Sequence, residues 1–254
     1  MKFFRKARFQ LIEKGITSKY LKYAFGEILL VVIGILIALK IDNLNEVNKE
    51  NTILNEYLVK IKSHLEEDQT ELDTIITYRR QMGDVCKKAR MAILTNKEDE
   101  NLYTIMASGV AFADFYFKAK TDGYEALKNS SSFGKINNTT LDSLFIQYYS
   151  TIEIIAENEK SYNDYILTQE AHISKQFDRT LVLASAFMTQ EELAELAIPQ
   201  LQYYEVFKAY SALPAYRNVI NLAAFQFDSM VKQYEQLQQT GKAVIDEILI
   251  FTRK

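Results

Sequence analysis

The stretch from Tyr23 to Ile41, YAFGEILLVVIGILIALKI, limits what this chain can become more than any other part of it. From Ile28 to Leu39 twelve consecutive residues are apolar or Gly, and only Glu27 and Lys40 interrupt the flanks. With those flanks the segment reaches the length of about 20 residues that a helix needs to cross a hydrocarbon core. The uninterrupted twelve alone would suit a buried core helix or the apolar part of a signal peptide equally well, so the flanks decide. Lys2, Arg5, Lys6, Arg8, Lys14, Lys19 and Lys22 precede the segment, opposed only by Glu13. Asp42, Glu46, Lys49 and Glu50 follow it. That asymmetry predicts an N-terminus in the cytoplasm and a chain outside it beyond residue 41.

Seven cations against one anion leave residues 1–22 at +6, so the rest of a chain of net charge −3 carries −9. The basic head suits an anionic leaflet, where each Lys or Arg contributes about 1 kcal/mol. The acidic remainder lacks the clustered Lys and Arg of a nucleic-acid surface, so no nucleic-acid partner is expected. Two prolines and eight glycines in the whole chain disfavour a β fold with many tight turns. Cys86, the only cysteine, excludes an internal disulfide and falls on a helical apolar stripe, where a thiol is a small buried hydrophobe. No small-residue pair at −3 and −1 marks a cleavage site near Ala38, so the segment is expected to stay as a signal anchor.

Residues 2–12, KFFRKARFQLI, mix aromatics with basic residues as an interfacial helix does. Lys2, Arg5, Lys6, Arg8, Lys19, Tyr20, Lys22 and Tyr23 are the expected interfacial anchors. Beyond the span, positions 54, 58, 61, 65, 68, 72, 75, 79, 82, 86, 89 and 93 step by alternating fours and threes. Ten of these twelve are apolar, the exceptions being Asp68 and Arg79. The stripe predicts a helix to about residue 95, continuous with the membrane helix. Asp68 and Arg79 either fix register in a bundle or mark where the helix leaves its neighbour.

A second helix is expected over 99–119 and a short third one over 121–127. The polar run 129–138 reads as a loop. Thr139 or Thr140 then caps a long helix to about residue 185. Thr189 and Glu192 form a capping box before a short helix that stops ahead of Pro199. Ser211 and Pro214 open a final helix whose positions 220, 223, 227, 230, 234, 237, 241, 244, 248 and 251 are all apolar or Gly. The expected fold is all-α: segment 1–20 cytoplasmic or interfacial, a transmembrane helix over 21–41, and an elongated antiparallel helical bundle ectodomain over 42–254.

Chemistry is hard to assemble from this chain. A carboxylate-bridged metal site in a bundle uses Glu-x-x-His pairs, but Ile61 and Gln169 stand three residues before His64 and His172. No zinc helix motif, phosphate-cradling Gly loop or nucleophile elbow occurs. Clusters such as Glu66-Glu67-Asp68 read as solvated helix faces, and the 16 Tyr and 15 Phe as packing. No catalytic residue, metal or cofactor is therefore expected, and no enzyme. Within the membrane segment, Gly34 and Ala38 each fall within about 20° of Glu27 at 100° per residue, with Leu30 beside them. A carboxyl group in line with small residues offers a face on which another helix packs closely, and an ionisable residue at membrane depth is a functional candidate by default. The plain alternative is a Glu27 that snorkels to the headgroups.

Lys19 to Ile28, KYLKYAFGEI, followed by LLVVIGILIALKIDNLNE to Glu46, resembles the N-terminal signature KYLxYAxGEIxLVVIGILIALxIxNxNE of a family of uncharacterised small bacterial membrane proteins. Tyr124-Glu-Ala-Leu-Lys-Asn-Ser-Ser-Ser is similar to that family's YExLKSSG segment, with the usual Gly displaced to Gly134. The resemblance implies a single-pass inner-membrane protein with a helical periplasmic domain. It supplies no activity, ligand or catalytic residue. Two functions follow as expectations. One is a membrane-anchored interaction or assembly protein that packs on itself or another envelope protein through the Glu27, Leu30, Gly34 and Ala38 face. The other is a ligand-sensing helical module, which would need a polar-aromatic pocket such as one lined by Tyr203, Tyr204, Tyr210 and Tyr216.

Overall fold

A computed structural model of the chain describes residues 17–253. All regular structure among them is helical, with no strand. Contacts divide the chain into two compact units, Met1–Glu56 and Tyr57–Lys254. Helix α1 spans Thr17–Leu94 and contributes to both. Its end has a physical cause in Asn96, which takes φ 53°. The turn lets Lys97 N–H reach the Ala92 carbonyl at 2.9 Å and Asn96 N–H the Ile93 carbonyl at 3.3 Å. This is the left-handed closure that satisfies the last carbonyls of a helix, and Asn tolerates it better than most residues.

In the first unit, the apolar part of α1 is the one described helix long and apolar enough to span a membrane. Among the described residues, every side chain from Ile28 through Lys49 is exposed. The anchors Lys2, Arg5, Lys6 and Arg8 lie outside the described residues, as do the side chains of Lys19, Tyr20 and Tyr23; Lys22 is exposed.

In the second unit, α1 buries Leu58, Ile61, Leu65, Asp68, Leu72, Ile75, Arg79, Cys86 and Ala89, all on the predicted stripe. Asp68 and Arg79 therefore do not mark a departure from the core. Toward its end the stripe drifts, with Gly83 and Ala92 taking the buried places beside Met82 and Ile93. A straight helix with 3.6 residues per turn slips by about 20° per heptad against a 3.5 repeat.

Short pieces follow: a 3-10 turn over Asp99–Asn101, α2 over Leu102–Ser108, a second 3-10 turn over Gly109–Phe112, α3 over Asp122–Lys128 and a third 3-10 turn over Ser131–Lys135. The long elements are α4, Thr140–Ser174, and α8, Pro214–Phe251. Between them lie α5 (Thr180–Phe187), α6 (Gln190–Glu195) and α7 (Gln200–Ser211). Thr139 caps α4 by accepting Asp142 N–H at 3.3 Å, while Asp142 takes Asn138 N–H at 3.0 Å. The Thr189–Glu192 capping box is formed as predicted. All ten predicted stripe positions of α8 face inward, nine of them fully buried.

Three expectations need correction. The helix over 99–119 ends at Phe112, and residues 113–120 form a strap outside any helix. Burial alternates along it: Phe117 is buried with Phe115 and Ala119 half-buried, whereas Tyr116, Lys118 and Lys120 are exposed. That is the two-residue period of extended chain. The helix expected to reach residue 185 ends at Ser174, and the Asp178 carboxylate takes Thr180 N–H at 2.8 Å and its hydroxyl at 2.6 Å where α5 begins. Ser211 closes α7 and leaves Pro214 alone to open α8.

Candidate functional site

Two places in the described chain combine polar groups in a way that packing alone does not require. The first is the Glu27 face of the apolar helix. Glu27 is half-exposed, while Leu30, Gly34 and Ala38 on the same side are exposed. A Cβ added at Gly34 would meet nothing within 4 Å, so the helix surface there is open to another backbone.

The second lies under the strap, and it is built by Asp68 and Arg79 of α1, Tyr148 and Glu159 of α4, and Tyr234 of α8. Glu159 is 1% exposed and accepts Phe117 N–H at 3.1 Å on each carboxylate oxygen. The Tyr234 hydroxyl donates to it at 2.6 Å. Asp68, also 1% exposed, accepts Lys120 N–H at 3.1 Å and the Tyr148 hydroxyl at 2.9 Å. Glu71 receives Lys118 N–H at 3.5 Å. Even-numbered amides of the strap thus turn to α1 and the odd-numbered Phe117 amide to α4, as the alternation of an extended chain dictates. The strap behaves like a strand whose neighbours are carboxylates on helices rather than other strands.

Arg79 completes the cluster. Its Nη2 donates to the Phe115 carbonyl at 3.3 Å. Its guanidinium carbon lies 4.6 Å from the Phe227 ring centre, 5.4 Å from Phe115 and 5.7 Å from Tyr162. Burial pushes the Glu159 and Asp68 carboxyls above the usual carboxylate range, against the opposing pull of their donors and, for Glu159, of Arg79. Burial likewise raises the Tyr148 and Tyr234 phenols, so both remain proton donors. Among the described residues neither buried carboxylate has a cation within ion-pair distance. N–H and O–H dipoles hold the two charges instead.

Beside the strap is an open groove of about 700 Å³, walled by Glu67, Thr70, Glu71 and Thr74 of α1 and by Asp114, Phe115, Tyr116 and Lys118 of the strap. Lys120 pairs with Glu67 at its rim. Tyr210 and Tyr216 are core rings 5.0 Å apart, and Tyr204 is engaged by Tyr103 at the surface. Among the described residues no group of three metal-ligating side chains converges. His172 is exposed, and His64 packs against Gly123. Cys86 is fully buried, with its thiol pushed up to about 12 by burial.

Sequence reasoning found Asp68 and Arg79 as breaks in the stripe but missed Glu159 and the strap they serve. Glu159 lies among Glu157, Lys160 and Asn158, and nothing in that polar context marks it as buried. The strap had a signal in the alternation Phe115, Phe117, Ala119 against Tyr116, Lys118, Lys120. A family model described as a family of unknown function (DUF6090) matches residues 27–186, from within the apolar segment of α1 through α4 into α5. No curated protein and no solved structure matches the chain.

Proposed function

The chain belongs to the DUF6090 family of unknown function, and we propose that within it this protein is a non-enzymatic, membrane-anchored interaction or assembly protein of the bacterial inner membrane. Its N-terminus lies in the cytoplasm and its helical domain in the periplasm. The observation that carries this reading is the apolar helix whose Glu27, Leu30, Gly34 and Ala38 face has room for another backbone at Gly34. The span of the family match supports it, because one family unit joins that helix to the helical domain. In the domain, contacts run in opposite order along α4 and α8: Tyr148 lies by Gly241, Glu159 by Tyr234 and Tyr162 by Phe227. They support an elongated antiparallel bundle as the body the anchor presents. The partner is a second copy of this chain or another envelope protein, meeting it through small residues where helices approach closely.

In-cell photocrosslinking from positions 34 and 38 tests the reading, with position 36, about 200° away from 34, as the control face. A discrete protein adduct from 34 and 38 but not from 36 is expected. Glu27→Gln should preserve it better than Glu27→Leu, since Gln keeps a hydrogen-bonding end. Lipid adducts alone from all three positions would leave the segment a plain anchor. The groove beside the strap favours a second reading, a ligand-sensing domain, since it offers Phe115 and Tyr116 together with charges of both signs.

A further inference from the structure

We propose that the groove between α1 and the strap binds an organic cation, a primary ammonium carried on an alkyl chain, as in a linear polyamine. The proposal rests on the ligand-sensing reading of this groove and names the class of ligand. Negative charge on both sides of the groove wall points to it. Behind the wall lie Asp68 and Glu159, each 1% exposed and held by N–H and O–H dipoles without a cation in ion-pair distance. In the wall itself, Glu71 is close enough to both to add its repulsion, and Arg79 offsets part of that charge beside Glu159. Asp114 brings a further carboxylate from the strap. Among the described residues neither Glu71 nor Asp114 enters an ion pair. Lys120 is engaged by Glu67, which leaves Lys118 to oppose them. Walls of low dielectric focus such a field into the cleft and concentrate cations there.

The neutral groups of the lining favour the same ligand. Thr70 and Thr74 give their hydroxyl hydrogens to the Glu66 and Thr70 carbonyls, each at 3.2 Å, so toward the groove their oxygens can only accept. The Tyr116 ring is 43% exposed, and Phe115 is held by the Tyr78 ring at 5.0 Å. Aromatic faces attract an ammonium and cover an alkyl chain. A bare Ca²⁺ or Mg²⁺ suits the place poorly. Such an ion needs about six or more oxygens at close range. Among the described residues no three metal-ligating side chains converge, and the groove measures about 700 Å³.

Spermidine is the probe, added to the full chain in nonionic detergent. The chain has no tryptophan, so Tyr116→Trp places a single indole in the groove wall. Equilibrium dialysis of labelled spermidine against the wild-type chain checks binding without a reporter. Salt is held at about 150 mM, where exposed charges are screened beyond about 8 Å. Spermidine should change the indole emission saturably and occupy a single site per chain. Glu71→Gln/Asp114→Asn should weaken that binding at least about tenfold while leaving the melting curve in place. Should the double variant melt early, Asp114→Asn alone is read, with a loss of at least about threefold expected at this exposed position. No saturable binding by either measurement overturns the proposal, as does an affinity that the substitutions leave unchanged. Mg²⁺ giving the same emission change at the same concentration also overturns it, since that is general screening of an acidic surface. A saturable response to free glutamate or glucose, with none to spermidine, overturns the cation and keeps the ligand-sensing reading. Silence to all three probes removes what the groove lends to both.

Discussion

Arg79 shows how one residue breaks a pattern without breaking a fold. A guanidinium at 2% exposure among three aromatic rings would be costly alone. Here ring faces and the Phe115 carbonyl replace much of its water. The glycines make a sharper contrast. Gly83 and Gly241 both sit inside long helices, where Gly costs about 0.5–1 kcal/mol relative to Ala. At Gly83 an added Cβ would touch Phe227 Cβ at 3.4 Å, an ordinary contact. At Gly241 it would stand 2.5 Å from Gln69 Nε2 and 3.0 Å from the Tyr148 ring. Gln69 would have to abandon its 3.1 Å bond to the Gln238 carbonyl, and Tyr148 is pinned by Asp68. Denaturant unfolding of the full chain should show Gly83→Ala stabilised by about 0.5–1 kcal/mol. Gly241→Ala should be destabilised by about 1–2 kcal/mol, since overpacking exceeds the propensity gain. Equal effects at both sites would mean that the α1–α8 approach is looser than described.

The strap is the element where sequence and structure part. The strongly periodic parts were legible: α1 to Leu94, the Thr139 cap, the Thr189 capping box and the whole inward face of α8 all follow from spacing and end signals. The span 99–119 misled because its apolar residues are dense enough to satisfy a helical period as well as a strand-like one. What decides the outcome is tertiary, since the amides of an extended chain need acceptors, and Asp68 and Glu159 supply them from 52 and 42 residues away. No local pattern encodes partners that distant, and a buried Glu in a charged helix looks like any solvated one. The two-residue period can be tested on its own. Phe117→Lys puts an ammonium where a ring is 7% exposed, and Tyr116→Lys puts it at a position that is 43% exposed. The first should cost about 3 kcal/mol or more in denaturant unfolding and the second within about 0.5 kcal/mol. Similar costs at the two positions would count against the alternation.

For the whole molecule, Cys86 makes the proposed periplasmic placement of residues 57–253 measurable with little engineering. It is the only thiol in the chain, fully buried on α1. With its ionisation pushed up to about 12, the thiolate that reacts with maleimides is scarce at neutral pH. The native chain should therefore stay unlabelled until it is denatured, and a single added cysteine reports its own compartment. Lys88 is exposed two residues farther along the same helix and lies outside the buried stripe. In intact spheroplasts, Lys88→Cys should react with a membrane-impermeant maleimide as fast as after lysis if the proposed orientation holds, which the seven cations before the span favour. A cysteine placed at Lys14 should react only after lysis. Labelling in the reverse order would put the helical domain in the cytoplasm and remove the basis for a periplasmic partner. Reaction of the native chain at Cys86 without denaturant would instead show that the core around α1 opens readily, and the contacts that bury Asp68 and Arg79 on the same helix would have to open with it.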